Sequence, residues 1–334
     1  MRTEVQVLPK GFLERLRKII PSNKFDTVAN SFSESKPTTF RINRLKLKEK
    51  GTGLDSRPVP VFLKEELESQ GFRLEPVSWY PDAFIMIAGN NRDRSLRMLQ
   101  ETDLYKTGEI YVQNLSSMIP PIILDPKPGE FVLDLAAAPG SKTTQIASMM
   151  CGEGKMVACD NNRIRFFKLK ANLEMQGAKS VETLLCYGET IGKKYPDHFD
   201  KVLLDAPCSS EGRFNVKEPA SFGYWKPSKV YEMAKKQKKL IFSAIMALKP
   251  GGTLVYSTCT FAPEENEAVL NWAVRKFEGL IEIETIQLPI PNQMSGLASW
   301  EGENFNPSVR RAVRVVPNAS MEAFFVACLR KTRS

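Results

Sequence analysis

Residues 130–144 read EFVLDLAAAPGSKTT. EFVLDLA is a continuous apolar run, the pattern of a strand buried on both faces. Ala136, Ala137, Ala138, Pro139 and Gly140 then form a turn of small residues, and SKTTQIASMM continues as a helix. The same alternation carries on down the chain. KMVACD (155–160), VETLLCY (181–187), DKVLLDAP (200–207) and GGTLVYSTCT (251–260) read as strands two to five. NNRIRFFKLKANLEMQG (161–177), with Asn161 as cap and Gly177 as stop, SKVYEMAKKQKKLIFSAIMALKPGG (228–252) and PEENEAVLNWAVRKF (263–277) read as helices. LIEIETI, VRRAVRVVP and EAFFVACLR are later strands. Strands alternating with helices predict an α/β fold with a mostly parallel sheet, with ligands bound beyond the carboxyl ends of its strands.

Upstream of residue 106 the pattern differs and predicts a small α+β unit. GFLERLRKII and KEELESQG are helical, TTFRINRLKL alternates as a strand, and PVSWY and AFIMIAG are short β-like pieces. KEKGTGLDSRPVP punctuates them, and QNLSSMIPPIIL opens the second region as an amphipathic stretch. The expected organisation is an extension over 1–105 and a catalytic domain over 106–334.

The 334 residues are 42% hydrophobic and 25% charged, and no apolar run approaches the length of a bilayer span. The N-terminus has no apolar core of a signal peptide, so a cytoplasmic protein without a membrane partner, and a monomer, is expected. The net charge of +9 favours a polyanionic partner. The single histidine, His198, sits in a polar loop and argues against histidine-based chemistry. Six cysteines show no CxxC and no zinc-type spacing; Cys151, Cys159, Cys186 and Cys328 read as small buried thiols.

Three features carry chemistry. The 136–142 turn, ending in Ser141 and Lys142, is neither GxGxxG nor a P-loop, which disfavours a dinucleotide or ATP. Asp160 ends the second strand about 20 residues later, where a carboxylate accepts bonds from ribose hydroxyls; Arg165 follows one turn on. Strand four ends in DAPCSSEGRF and strand five in STCT. If those strands are neighbours, Asp205, Cys208 and Cys259 share one rim.

FRINRLK, GEIYVQNLSSMIPPIIL, VLDLAAAPGSKTTQIA, VLLDAPCSSEGRF, LKPGGTLVYSTCTFAPEENEAVL and RVVPNASMEAFFVA together closely resemble the Sun (Fmu-like) family of RNA cytosine-5 methyltransferases. The resemblance implies a Rossmann-like seven-stranded methyltransferase domain with an RNA-binding N-terminal extension. It implies S-adenosylmethionine held by Ala136–Lys142 and Asp160, and rRNA or tRNA as substrate. Cys259 matches the nucleophile, Cys208 the second cysteine tied to RNA release, Asp205 the acid that contacts the cytosine ring, and Lys142 a lysine that reaches the active site. The chain departs from the family at Tyr187-Gly188, where Asp-Gly is usual; the readings are that Tyr187 stacks on the adenine, donates a hydrogen bond to it, or leaves the cofactor more weakly bound.

The chemistry needs such a set. Thiolate addition to C6 makes C5 of cytosine enamine-like and able to take the methyl group. Arg41, Arg44, Lys46 and Lys48 suit phosphate contact; Lys235, Lys236, Lys238 and Lys239 read as a solvated helix face. Three rivals are weighed. A DNA cytosine-5 methyltransferase would lack the STCT cysteine, a dehydrogenase would carry a dinucleotide fingerprint, and an RNA-binding assembly factor would keep the scaffold without activity.

Overall fold

A computed structural model describes residues 8–49, 59–87 and 92–332. The chain divides into two compact units, Pro37–Tyr187 and a second made of Met1–Lys36 with Gly188–Ser334. The first 105 residues are therefore shared between the two.

In the Pro37–Tyr187 unit, Thr39–Ile42, Leu74–Pro76, Ala83–Met86 and Ile110–Val112 form an antiparallel sheet. Phe40, Ile42, Leu63, Leu67, Phe84 and Met86 are the centre of its core. The expected strand TTFRINRLKL stops at Ile42, and Arg44–Glu49 is helical, its start capped by Asn43 Oδ1 accepting from Leu45 N–H at 3.2 Å. QNLSSMIPPIIL forms the helix Leu115–Leu124, capped by Asn114. It is buried nearly all round rather than amphipathic, as a helix inside a core must be.

The same unit carries three parallel strands, Phe131–Asp134, Lys155–Asp160 and Val181–Leu185, in register Leu133↔Val157 and Asp160↔Leu185. Helices Ser141–Met149 and Arg163–Met175 connect them. The second helix is capped by Asn162 rather than Asn161, because the Asn162 N–H is already held by Asp160 Oδ1 at 2.8 Å and its own Oδ1 accepts from Arg165 N–H. Gly177 stops it at φ 69°.

In the other unit, Phe199–Asp205 runs parallel to Leu248–Thr258 with Asp205 opposite Ser257. Phe324–Lys331 lies antiparallel to Leu248–Thr258 and pairs in turn with Ile281–Glu284 and Val313–Val315. Helix Pro227–Ala247 precedes the Leu248–Thr258 strand. VRRAVRVVP is thus only half a strand; Pro307–Arg311 is a short 3₁₀ turn. PEENEAVL does not begin its helix at Pro263. The helix runs Glu267–Lys276, because the acids before it turn inward to loop partners.

Candidate active site

Because Asp205 and Ser257 face each other at the carboxyl ends of two paired parallel strands, the residues just beyond them share one rim. Cys208 Sγ and Cys259 Sγ stand 3.4 Å apart, and both thiols are free and half-buried. Ser210, in a left-handed conformation (φ 59°), brings its hydroxyl to 3.7 Å from Cys259 and 3.9 Å from Cys208. Asp205 Oδ1 accepts from Ser257 Oγ at 2.7 Å. The loop is tied down at Gly212, whose N–H donates to the Cys259 carbonyl at 2.9 Å; a Cβ there would meet Ala323 O at 2.6 Å.

The two thiols titrate oppositely. Cys259 is lowered to about 7, first by the hydrogen bond from Cys208 and then by the Arg213 guanidinium, against burial and Asp205. Cys208 is pushed well above the ordinary thiol range by that same bond and by burial. When the pair ionises, its charge therefore falls on Cys259, with Cys208 as the thiol that donates to it. Arg213 also faces Glu322 at 3.5 Å; 56% of its side chain is exposed, so solvent screens its pull on the sulfur.

Buried acids brace the rim. Glu265 Oε2 accepts from Ser209 N–H and Gln237 Nε2, both at 2.9 Å, and Gln237 also donates to Pro207 O. Burial raises the Glu265 carboxyl to about 8. Glu211 accepts from Trp225 Nε1 at 2.9 Å, Thr260 Oγ1 at 2.9 Å and Phe261 N–H at 3.1 Å. Glu267 and Arg314 form a buried bidentate pair at 2.7 and 2.5 Å. Glu264 takes Arg15 and Trp300. Three acids of the run 263–267, Glu264, Glu265 and Glu267, thus act as polar clamps on loop amides and side chains in place of one helical turn, since buried loop N–H groups must be paired.

The Pro37–Tyr187 unit holds the second set of predicted residues. Gly140 (φ 106°) starts the helix Ser141–Met149, and a Cβ on it would meet Leu169 Cδ1 at 2.9 Å. Asp160 is buried, with Oδ2 accepting from Ala138 N–H at 3.3 Å. Arg165 reaches Asp160 at 3.6 Å and donates to the Ala138 carbonyl. Asn172 Nδ2 donates to Pro139 O at 2.7 Å. Ala136–Ser141 is thus held as a fixed turn beside a carboxylate, a cradle a ribose and its neighbouring groups would fit. Lys142 is buried and donates to Ser117 Oγ at 2.7 Å. Tyr187, just past the Val181–Leu185 strand, is 65% exposed.

The model of the family described as 16S rRNA methyltransferase RsmB/F matches residues 121–330. The chain belongs to the RsmB/F family. Within it, the chain is 39% identical to the tRNA (cytosine(49)-C(5))-methyltransferase of Pyrococcus abyssi over 99% of both chains. It is 37% identical to the ribosomal RNA small subunit methyltransferase F of Vibrio campbellii, covering 97% of this chain and 63% of that one. The chain thus spans under two thirds of the length of the latter. A solved methyltransferase homologue from Pyrococcus horikoshii is 29% identical, covers 97% of this chain and 100% of its own, and superposes with TM-score 0.77. The structure of NSun6 from the same organism, at 22% identity and TM-score 0.76 over 98% and 99% of the two chains, shows the fold alone. The Rossmann-like methyltransferase fold and the Sun-family resemblance are both met.

Several expectations for this RsmB/F member are corrected. Arg41 is fully buried, donating to Gln113 Oε1 at 2.8 Å, Thr144 Oγ1 at 2.7 Å and Ser141 O at 3.0 Å, so it is not a phosphate contact. Arg44 is held by Asp82 through two bonds of 2.6 and 2.7 Å. The side chain of Lys48 lies outside the described residues. Cys151 is exposed rather than buried, because it sits at φ 55° on the turn that ends its helix. His198 is exposed, and Lys235 and Lys239 lie on a solvated helix face. Sequence reasoning missed Ser210, Glu211, Arg213, Glu265 and the Glu267–Arg314 pair. For Glu265 and Glu267 the signal was the density of acids after STCT; Ser210, Glu211 and Arg213 stand in the quoted DAPCSSEGRF run. No helix among the described residues is long and apolar enough to cross a membrane.

Proposed function

We propose that this chain is an S-adenosylmethionine-dependent methyltransferase acting on C5 of a cytosine in rRNA or tRNA, through a covalent bond from Cys259 to C6. The observation that carries the reading is the thiol pair. Two sulfurs 3.4 Å apart at the ends of paired parallel strands, with Cys259 lowered and Cys208 raised, supply a thiolate and a proton donor to it. The names of the Pyrococcus abyssi and Vibrio campbellii relatives support RNA as substrate.

Cys259 as thiolate forms the S–C6 bond, and the ring's electron pair moves toward C5. Asp205, fixed by Ser257, accepts a hydrogen bond from the exocyclic amine, and a proton shared between Asp205 and N3 offsets the negative charge that develops on the ring. S-adenosylmethionine, when bound, supplies the methyl group as a sulfonium electrophile. Asp160 and the 136–142 turn would hold its ribose and neighbouring groups, Arg165 keeping that turn in place, and Tyr187 would meet the adenine. Lys142 is assigned to the catalytic set by resemblance; its bond to Ser117 holds its ammonium in one position. In the last step the C5 proton leaves to a base, the S–C6 bond breaks, and its electron pair returns to Cys259. Cys208, still protonated, donates to that departing thiolate, which accounts for a role in release without a histidine. A base paired in a helix must first be unstacked, so an accessible cytosine is expected. The 1–105 extension is assigned to RNA binding.

The test is incubation of the purified chain with methyl-labelled S-adenosylmethionine and separate rRNA and tRNA pools, followed by nucleoside mass spectrometry. The expected product is 5-methylcytidine, mapped by bisulfite sequencing. A label found on a base nitrogen or a ribose oxygen would overturn the assignment.

A further inference from the structure

The helix Arg163–Met175, RIRFFKLKANLEM, buries only Leu169 and Leu173. Those two suffice to seat it, with Leu169 against the Gly140 turn. Yet the solvent side carries a second apolar stripe. Ile164 is 73% exposed, Phe167 56%, and Ala171 is exposed as well. The spacing i, i+3, i+7 puts the three on one line. An exposed aromatic and aliphatic stripe on a soluble helix marks a contact surface.

Charge says which kind. Arg163 and Lys170 border the stripe on one side and Lys168 on the other, all exposed, and the helix carries four cations against one acid, Glu174 in its last turn. Arg163 stands in the first turn, where the helix dipole disfavours a cation. Its guanidinium lies 6.0 Å from the Phe167 ring centroid, and Phe166 meets Phe167 edge-on at 6.2 Å. Arg165 is accounted for by Asp160 and Ala138. Meanwhile Arg41, one cation expected to meet phosphates, is buried and engaged elsewhere. A ring face flanked by cations on both edges is what a single nucleic-acid strand requires: a platform for a base and partners for the phosphates beside it.

We infer that the exposed face of the Arg163–Met175 helix is a docking surface for a single-stranded segment of RNA, a base stacking on Phe167 and phosphates lying against Arg163, Lys168 and Lys170. The inference rests on the RNA methyltransferase reading above and adds a place on the molecule to it. Phe167, Lys168 and Lys170 lie outside the residues assigned to the cofactor and the thiol site.

The experiment uses the full chain and a mixed-sequence, fluorescein-labelled single-stranded RNA, titrated at several salt concentrations. Phe167→Ala should weaken binding by about 5- to 100-fold. Lys168→Gln with Lys170→Gln should flatten the log–log salt slope by about 0.7 per cation removed. Both variants should raise KM for RNA and leave kcat and S-adenosylmethionine affinity unchanged. If the wild type binds and methylates RNA while the variants match it in affinity and salt slope, the docking face is wrong and the function stands. If the variants instead change only the oligomeric state, the stripe is a protein interface and the inference is equally overturned. If the wild type neither binds nor methylates any RNA, the functional reading falls, and the docking face with it.

Discussion

Replacing Cys208 by alanine should slow, without abolishing, the reaction of Cys259 with an alkylating agent before any RNA is present. One hydrogen bond sets that reactivity. With Cys259 lowered to about 7, about half of it is thiolate at pH 7; at the ordinary 9.0, about one part in a hundred would be, a ~50-fold difference. The leading cause of the lowering is the 3.4 Å contact with the Cys208 thiol. Remove that donor and burial and Asp205 push the pKa up, opposed by Ser210 and by an Arg213 whose exposed guanidinium is screened by salt. Alkylation follows the thiolate fraction. Iodoacetamide modification of Cys259 at pH 7 should therefore slow by about ten- to fifty-fold in Cys208→Ala, while Cys208→Ser, which keeps a hydroxyl donor, should fall between. The readout is peptide-resolved mass spectrometry across pH 5–10, because exposed Cys151 reacts as well. A Cys259 that still titrates near 7 in Cys208→Ala would refute the shared-proton account and move the cause to Arg213.

Three further outcomes follow from the same geometry. Glu265 is raised in the fold, so the stability tied to its protonated form is present below the unfolded carboxyl range and is lost as pH rises through about 8; Glu265→Gln should gain up to a few kcal/mol over wild type at pH 9 and little at pH 5, measured by urea melts. An identical pH profile would show the carboxyl is not the cause. Arg314→Met leaves the Glu267 charge buried with only the Leu297 N–H to hold it and should cost about 3–5 kcal/mol, most of it recovered by adding Glu267→Gln; the double variant melting no higher than the single one would contradict this. Gly140→Ala forces a left-handed backbone, at about 1–2 kcal/mol, and sets a Cβ 2.9 Å from Leu169. It should weaken S-adenosylmethionine binding in calorimetry, and unchanged affinity would remove the 136–142 turn from the cofactor site.

The strands were legible because burial on two faces leaves a pattern local to the run: FVLD, KMVACD and DKVLLD are apolar with a polar residue only at their ends, and so the positions of Asp160, Asp205, Cys208 and Cys259 could be read before any coordinates. What escaped was non-local. Arg41 sits in a basic stretch, and nothing within ten residues reveals that Gln113 and Thr144 will enclose it. PEEN looks like a helix start by its proline and acids, yet those acids are worth more to the amide of Ser209 and the side chains of Gln237, Arg15 and Trp300. Ser210 stood in plain view between two motif residues, but only the left-handed turn aims its hydroxyl at both sulfurs. The thiol pair itself was expected from strand ends, whereas its division of labour depends on a separation no spacing rule supplies.

The central claim, that Cys259 bonds to the base and Cys208 frees it, is tested most directly on a denaturing gel. Wild type, Cys259→Ala and Cys208→Ala are each incubated with substrate RNA and S-adenosylmethionine, and slowly migrating protein–RNA species are scored. The account predicts a persistent covalent adduct with Cys208→Ala, and neither adduct nor 5-methylcytidine with Cys259→Ala. An adduct that forms on Cys259→Ala and is absent from Cys208→Ala would reverse the two roles.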